Sequence, residues 1–137
     1  MPMNMYTFRS SLVCCALLVG CSTAPYAARA IEDDAEAEAS VVVADASLHD
    51  VVRAGKPRLE RIQGTNQLRI VVPVRNVDDE EIHVTMQVSF YDRNREPIGD
   101  DTSREQKIIA PGHTIHYVAT SRMDNAEDFV LRVGWAK

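Results

Sequence analysis

Cysteine is scarce in this sequence and absent from most of it. The three cysteines are Cys14, Cys15 and Cys21, all within the first 21 of 137 residues. The chain after Cys21 therefore offers no thiol for a disulfide, a thiolate metal ligand or a cysteine nucleophile. A domain in that part must be held together by packing and hydrogen bonds alone.

Clustered positive charge is also missing. The formal net charge is −5, with 15 Lys and Arg against 20 Asp and Glu. Nucleic-acid phosphates and anionic lipid headgroups both select clustered basic side chains. We therefore expect no nucleic-acid partner, and any attachment to a membrane must rely on something other than charge.

The N-terminal apolar stretch is too short to span a membrane. Ser10–Pro25 is uncharged over about 16 residues, whereas a spanning helix needs roughly 20 apolar residues. A stretch of this length behind a basic residue, here Arg9, is typical of the h-region of a secretory signal.

The stretch leads into Leu18-Val19-Gly20-Cys21, which resembles the lipobox of bacterial lipoprotein precursors. Small side chains beside the cleaved bond admit a membrane-embedded peptidase, and the Cys21 thiol is the nucleophile that takes up diacylglycerol. Residues 1–20 are thus predicted to be a lipoprotein signal peptide and Cys21 the lipidated first residue. Two or more acyl chains anchor a protein stably where one does not. By resemblance to enterobacterial sorting rules, Ser22 in place of Asp favours the periplasmic face of the outer membrane.

Two other interpretations of this region stay open. Ordinary cleavage after Ala28-Arg29-Ala30, an A-x-A-like site, would release a soluble protein, although it lies about ten residues beyond the apolar run. The other alternative is an uncleaved membrane helix.

The segment 21–40 is predicted to be a tether between the lipid and the domain. Acidic residues crowd Glu32 to Glu38 and few side chains could build a core, a composition that favours disorder. A frayed helix over Glu32–Ala39 is the alternative, because Ala and Glu are strong helix formers.

From Val41 onward the apolar pattern has a period of two, which predicts β-strands. Three strands are strong, within Leu68–Val74, Ile82–Phe90 and Phe129–Trp135, and four are weaker: Ser47–Arg53, Arg58–Gln63, Glu105–Ala110 and Thr114–Thr120. No helical apolar stripe is evident. Seven short strands predict one domain over 41–137, an all-β antiparallel sandwich, without room for parallel crossovers.

Two local features refine this prediction. Pro73 inside a strong strand indicates an edge strand or a bulge, because proline cannot donate to a ladder. Pro111-Gly112 suits the central positions of a type II turn.

The order of these segments resembles the YcfL-like family of bacterial envelope lipoproteins. Its members combine a strand like Leu68–Asn76 with an aromatic-rich strand like Val84–Asp92, then a Pro-Gly turn and a closing strand like Phe129–Val133. The resemblance implies an immunoglobulin-like β-sandwich, a periplasmic location and no established activity. The chain departs from the family after Asp92, with Arg95 where a turn glycine is common and Tyr91 where tryptophan is common.

Motifs for catalysis or cofactor binding are few. There is no Gly-x-Ser-x-Gly elbow and no glycine-rich phosphate loop. His113 and His116 are three apart, so on a strand their rings would diverge; with His83 they could form a partial metal site at most. We therefore predict no enzyme activity, no cofactor and no metal site.

The remaining candidates are an acidic run and three aromatic side chains. Asp78-Asp79-Glu80-Glu81 has the charge for calcium without EF-hand spacing, and we expect a solvated hairpin loop. Tyr91, Tyr117 and Trp135 could form a platform on which a ligand stacks, or could pack in the core.

The leading hypothesis is a non-enzymatic outer-membrane lipoprotein that binds an envelope protein through a sheet face or edge. The alternatives are a module that binds a small ligand or glycan such as a muropeptide, and a structural spacer.

Overall fold

The computed structural model describes residues 39–137, which form nine strands and one short helix. In chain order the elements are β1 (Val41–Val43), α1 (Ala46–Val51), β2 (Val52–Ala54), β3 (Arg58–Arg61), β4 (Leu68–Asn76), β5 (Ile82–Tyr91), β6 (Pro97–Asp101), β7 (Glu105–Ile109), β8 (Thr114–Thr120) and β9 (Asp128–Trp135).

The strands form two sheets. In sheet A, β5 lies between β9 on one side and both β6 and β7 on the other, and β1 extends the sheet beyond β9. In sheet B, β4 lies between β8 on one side and both β2 and β3 on the other. The longest strands, β4 and β5, are therefore the centres of the two sheets.

The apolar faces of both sheets pack into one core, which confirms the all-β sandwich. Alternate residues of β4 and β5 are buried, as strand geometry requires when one face meets a core. The main core side chains are Leu68, Ile70, Val72, Val74, Ile82, Val84, Met86, Val88, Phe90, Ile109, Tyr117, Phe129, Leu131 and Val133. Full burial of each large aliphatic side chain contributes about 1.5–3 kcal/mol.

The prediction of a strand over Ser47–Arg53 is wrong in its first part. Ala46–Val51 is helical, with Asp45 at the N-cap position, and only Val52–Ala54 is a strand. Leu48 and Val52 are both buried, so the helix and the strand that follows it each place one apolar side chain on the core side. Six residues are too few to show a helical period in the sequence.

The prediction of purely antiparallel pairing fails at one position. β1 runs parallel to β9, with Val41 opposite Leu131 and Val43 opposite Val133. A parallel pair needs a long connection between its strands, and here nearly the whole domain provides it. Sheet A is therefore mixed, whereas sheet B is antiparallel.

Pro73 lies on the central strand β4, so the predicted edge position is wrong. Its missing N–H faces the side of β2 and β3, at the interruption between Ala54 and Arg58. The pairing register slips by one residue across that interruption. The Gly55 N–H donates to the Pro73 carbonyl at 2.8 Å, and a Cβ on Gly55 would lie 3.0 Å from the proline ring. The broken neighbour strand thus explains how proline fits in mid-sheet.

The Pro111-Gly112 turn agrees with prediction. Gly112 has φ +71°, and the His113 N–H donates to the Ala110 carbonyl at 3.1 Å, as a type II turn requires.

The acidic run 78–81 is not in a hairpin, because β4 and β5 belong to different sheets. Asn76 shapes this connection instead. Its side-chain amide donates to the carbonyls of Glu80 and Ile109 at 2.7 and 3.0 Å, and its Oδ1 accepts from the Asp78 N–H at 2.8 Å. Since Ile109 ends β7, the fully buried Asn76 ties sheet B to sheet A.

Candidate functional site

β8 is an edge strand that carries no formal charge. It pairs with β4 on one side, and on its other side no strand formed by residues 39–137 adjoins it. Its sequence is Thr-Ile-His-Tyr-Val-Ala-Thr, without Lys, Arg, Asp, Glu or Pro. The edge strands β2, β3, β6 and β7 all contain charged residues, and β1 has only three residues. Charge on an edge is a common protection against unwanted strand pairing, and β8 lacks it.

The hydrogen bonds of the ladder show which backbone groups point outward. At the two ends of the ladder between β4 and β8, the Asn76 N–H donates to the His113 carbonyl and the Ser121 N–H donates to the Leu68 carbonyl. Bonded and non-bonded pairs alternate along an antiparallel ladder. The N–H and C=O groups that point away from β4 are therefore those of Thr114, His116, Val118 and Thr120.

A groove of about 330 Å³ lies between the edges of β7 and β8. Its apolar lining includes Ile108 and Val118, which are 59% and 44% exposed, together with Ile115. A strand added to β8 would place alternate side chains into this groove.

Tyr117 closes the inner side of the groove. Its side chain is 2% exposed, and Lys107 Nζ lies 5.9 Å from the ring centroid. Lys107 in turn pairs with Glu105 at 2.8 Å. Burial raises the pKa of the Tyr117 phenol, and the hydrogen bond to Glu105 raises the pKa of Lys107. Both groups therefore keep their neutral-pH forms, a neutral phenol beneath an ammonium–carboxylate pair.

The Tyr117 hydroxyl lies beside Thr102 without a hydrogen bond of normal geometry to it or to any other part of 39–137. A buried hydroxyl is normally hydrogen-bonded. The Tyr117 hydroxyl is therefore an exception within residues 39–137, and because it is buried it is not exposed in the groove.

The three aromatic side chains predicted as a stacking platform lie in different places. Tyr91 pairs with Asp128 at one end of the β5–β9 ladder and Trp135 pairs with Val84 at the other, about 23 Å away at 3.3 Å per residue. Tyr117 is buried in the other sheet. The Trp135 indole Nε1 donates to Ser47 Oγ at 3.0 Å. No single platform contains all three, although Trp135 is 36% exposed.

The histidines are also dispersed. His116 lies on β8 opposite Pro73, whereas His83 lies on β5 in sheet A and pairs with Glu81 at 3.0 Å. Within residues 39–137 there is no group of three or more His, Cys, Asp or Glu side chains arranged to hold a metal ion.

Cys21, the predicted signal peptide and the acidic run Glu32–Glu38 lie outside the described residues. Over 39–137, no helix is long and apolar enough to cross a bilayer.

A set of polar residues on the outer face of sheet A escaped prediction from sequence. Gln87 on β5 faces Arg132 on β9, and Thr85 faces Gly134. Each residue occupies an outward position of a predicted strand, but the alternating pattern does not reveal which strands are neighbours. The same is true of the β8 edge, where Thr114–Thr120 was predicted as a strand without its position in a sheet.

The architecture defines the class of this protein: over residues 39–137 it is an all-β sandwich of two sheets, in which the seven-residue edge strand β8 is uncharged. Two solved structures are similar. The crystal structure of Campylobacter jejuni cj0090 has a TM-score of 0.59 and 15% identity, covering 71% of this chain and 98% of that one. A DUF1425 family member from Shewanella sp. pv-4 has a TM-score of 0.56 and 17% identity, covering 63% and 79%.

At these identities the similarity shows the fold alone. It is consistent with the resemblance to the YcfL-like family. No family model matches the chain, and no curated protein matches its sequence.

Proposed function

We propose that this protein is a non-enzymatic lipoprotein of the bacterial envelope that binds another protein by strand addition at β8. The observation that carries the proposal is the uncharged seven-residue edge, with outward backbone groups at Thr114, His116, Val118 and Thr120. An extended segment of a partner would satisfy those groups and continue sheet B.

The energetics suit a specific but moderate interaction. Each added main-chain hydrogen bond contributes about 0.5–1.5 kcal/mol net. Apolar side chains of the partner would cover Ile108, Ile115 and Val118, and burial adds about 25 cal/mol per Å². Recognition would therefore combine backbone pairing with a short alternating apolar pattern.

Location and lack of catalysis are supported by the sequence. Leu18-Val19-Gly20-Cys21 has the lipobox pattern, which supports a lipid anchor on Cys21 and a position of the domain at the periplasmic face of the outer membrane. The acidic segment that follows would let the domain reach a partner away from the lipid. The chain has neither a cysteine after Cys21 nor a Gly-x-Ser-x-Gly elbow.

The test begins with site-specific photo-crosslinking from Thr120, in intact envelopes that contain the full-length protein. We expect a reproducible partner. Purified with that partner, the protein should show slowed amide exchange at Thr114, His116, Val118 and Thr120, with little change at the alternate residues already bonded to β4. This alternation is specific to strand addition, so uniform protection or none contradicts the proposed mode.

A matched pair of variants separates the edge from general surface effects. Val118→Lys puts a charge on β8, and Leu59→Lys puts the same charge on β3, at the other edge of the same sheet, where exposure is similar (44% and 47%). We expect the β8 variant to lose the crosslink and the β3 variant to retain it, with equal thermal stability. Equal crosslinking by both variants rules out the β8 site.

A further inference from the structure

The backbone groups of β8 that point away from β4 match those of a second β8 running antiparallel to it. They belong to Thr114, His116, Val118 and Thr120, which are spaced symmetrically about Tyr117. If Tyr117 of one copy lies opposite Tyr117 of the other, Thr114 faces Thr120 and His116 faces Val118. Every outward group then meets an outward group, and the bonded pairs exchange about eight main-chain hydrogen bonds.

Other registers pair fewer of these groups. A centre at His116 would place the two His116 rings opposite each other and Thr120 opposite the turn at Gly112, beyond the start of β8. A centre at Val118 would carry the other end of the strand past its partner in the same way. The strand is therefore most complementary to itself when Tyr117 lies at the centre.

The side chains that this pairing brings together are compatible. Residues 114, 116, 118 and 120 are exposed, and in the centred register threonine lies beside threonine and histidine beside valine. Cross-strand threonine pairs stabilise a sheet, whereas like charges placed opposite each other destabilise it. Since β8 has no Lys, Arg, Asp or Glu, no such repulsion opposes the contact.

The groove beside β8 adds an apolar part to the contact without adding net charge. Ile108 and Val118 are 59% and 44% exposed, and Ile115 also lines the groove. Its charged residues, Glu105 and Lys107, pair with each other at 2.8 Å. The whole chain has a net charge of −5, which makes two copies repel each other, so a neutral surface is where they can meet.

We propose that a second copy of this chain binds at β8, with the two β8 strands antiparallel and Tyr117 at the two-fold axis. A contact that uses the same surface of both copies closes a dimer and leaves neither edge open. An uncharged edge of seven residues is otherwise open to unwanted pairing. The inference rests on the proposed function, because both depend on strand addition at β8. It adds a regulation: the second copy covers the edge until a different envelope protein replaces it.

Disulfide trapping of the full-length protein in neutral detergent tests both the pairing and its register. Because His116 faces Val118 of the second copy, with Cα atoms about 5.5 Å apart, a mixture of His116→Cys and Val118→Cys should form a linked dimer under mild oxidation. Either variant alone places its two cysteines at diagonal positions about 7–8 Å apart, which is beyond disulfide reach. We expect several times more dimer from the mixture than from either variant alone.

Controls separate this contact from chance collisions. Leu59→Cys lies on β3 at the other edge of sheet B, where exposure is 47%, and the parent protein reports any thiol left at Cys21. Both should give little dimer. Thr114→Cys mixed with Thr120→Cys is a second pair in the same register, and thermal melting checks that each variant is folded. No more dimer from either mixture than from Leu59→Cys, or as much from single variants as from the mixtures, overturns the inference.

This inference and the proposed function fail separately. If the mixtures form no dimer while photo-crosslinking from Thr120 captures a different protein, self-pairing is wrong and the proposed function stands. If the mixtures form the dimer while Thr120 captures only a second copy, self-pairing stands and the proposed binding of a different protein is wrong.

Discussion

At the scale of single residues, the side chain of Asn76 fixes several backbone segments relative to one another. Its amide and carbonyl oxygen bond to three backbone groups in two different segments, and the side chain is fully buried. Glutamine or aspartate cannot reproduce the same length and donor pattern. One asparagine therefore holds together the end of β4, the acidic connection and the end of β7.

We expect Asn76→Asp to lower the free energy of unfolding by about 2–4 kcal/mol at neutral pH. The change places a carboxylate oxygen against the carbonyls of Glu80 and Ile109, so two acceptors lose their donor and a charge is buried. Urea unfolding measures the loss. The loss should shrink as the pH falls toward about 4, because burial raises the pKa of the new acid above its value in the unfolded chain and the protonated acid can donate again. Asn94→Asp, the same change in an exposed turn, is the control and should be nearly neutral. An Asn76→Asp protein as stable as the parent contradicts this role.

At the scale of elements, the hairpin between β5 and β6 contains a left-handed residue that is not glycine. Arg95 has φ +60°, its N–H donates to the Asp92 carbonyl at 3.0 Å, and Asp92 Oδ1 accepts from the N–H groups of Asn94 and Glu96. Arg95 also pairs with Asp128 at 3.1 Å. The hairpin thus keeps the conformation typical of a turn glycine while using an arginine side chain.

We expect Arg95→Gly to be more stable than Arg95→Ala by about 1 kcal/mol. Both variants lose the same side-chain contacts, so the difference isolates the backbone, and only alanine has a Cβ that is unfavourable at positive φ. Thermal or urea unfolding of the two proteins gives the comparison. The usual order, with alanine more stable, would mean that the turn has another conformation.

The strands with many alternating apolar residues could be predicted from sequence, and the connections between them could not. β4, β5 and β9 agree within a residue or two because burial of one face imposes a period of two on the residues themselves. The helix α1 was missed because six residues cannot display a period. β1 and β6 were missed because Val-Val-Val and Pro-Ile-Gly-Asp-Asp do not alternate.

The candidate sites depend on neighbours distant in sequence. The lack of charge in Thr114–Thr120 is visible in the sequence, but its meaning requires the knowledge that β8 lies at an edge. The position of Gln87 opposite Arg132 on the outer face of sheet A likewise requires the register of β5 against β9. Short local patterns contain neither piece of information.

At the scale of the whole molecule, attachment to the membrane depends on one predicted lipid. We expect Cys21→Ser to move the protein from the membrane pellet to the soluble fraction or to leave it as an unprocessed precursor, because a negatively charged chain has no electrostatic attraction to anionic lipid. Cys14→Ser and Cys15→Ser are matched controls within the predicted signal and should leave fractionation unchanged. Mass spectrometry of the membrane-extracted parent should find acyl chains on Cys21. A mature Cys21→Ser protein that still pellets with membranes contradicts the lipoprotein assignment.

The parallel pairing of β1 with β9 has a consequence for the order in which the domain can fold. The paired residues Val41 and Leu131 are about ninety positions apart. Of the described strands, β1 is therefore synthesised first but cannot pair until β9, the last of them, has been synthesised. Pairings between distant segments slow folding, since the intervening loop must close first. A chain threaded through a secretion pore N-terminus first would keep β1 unpaired until almost every residue had emerged. In a chain exported in this way, the topology itself would delay the pairing of β1.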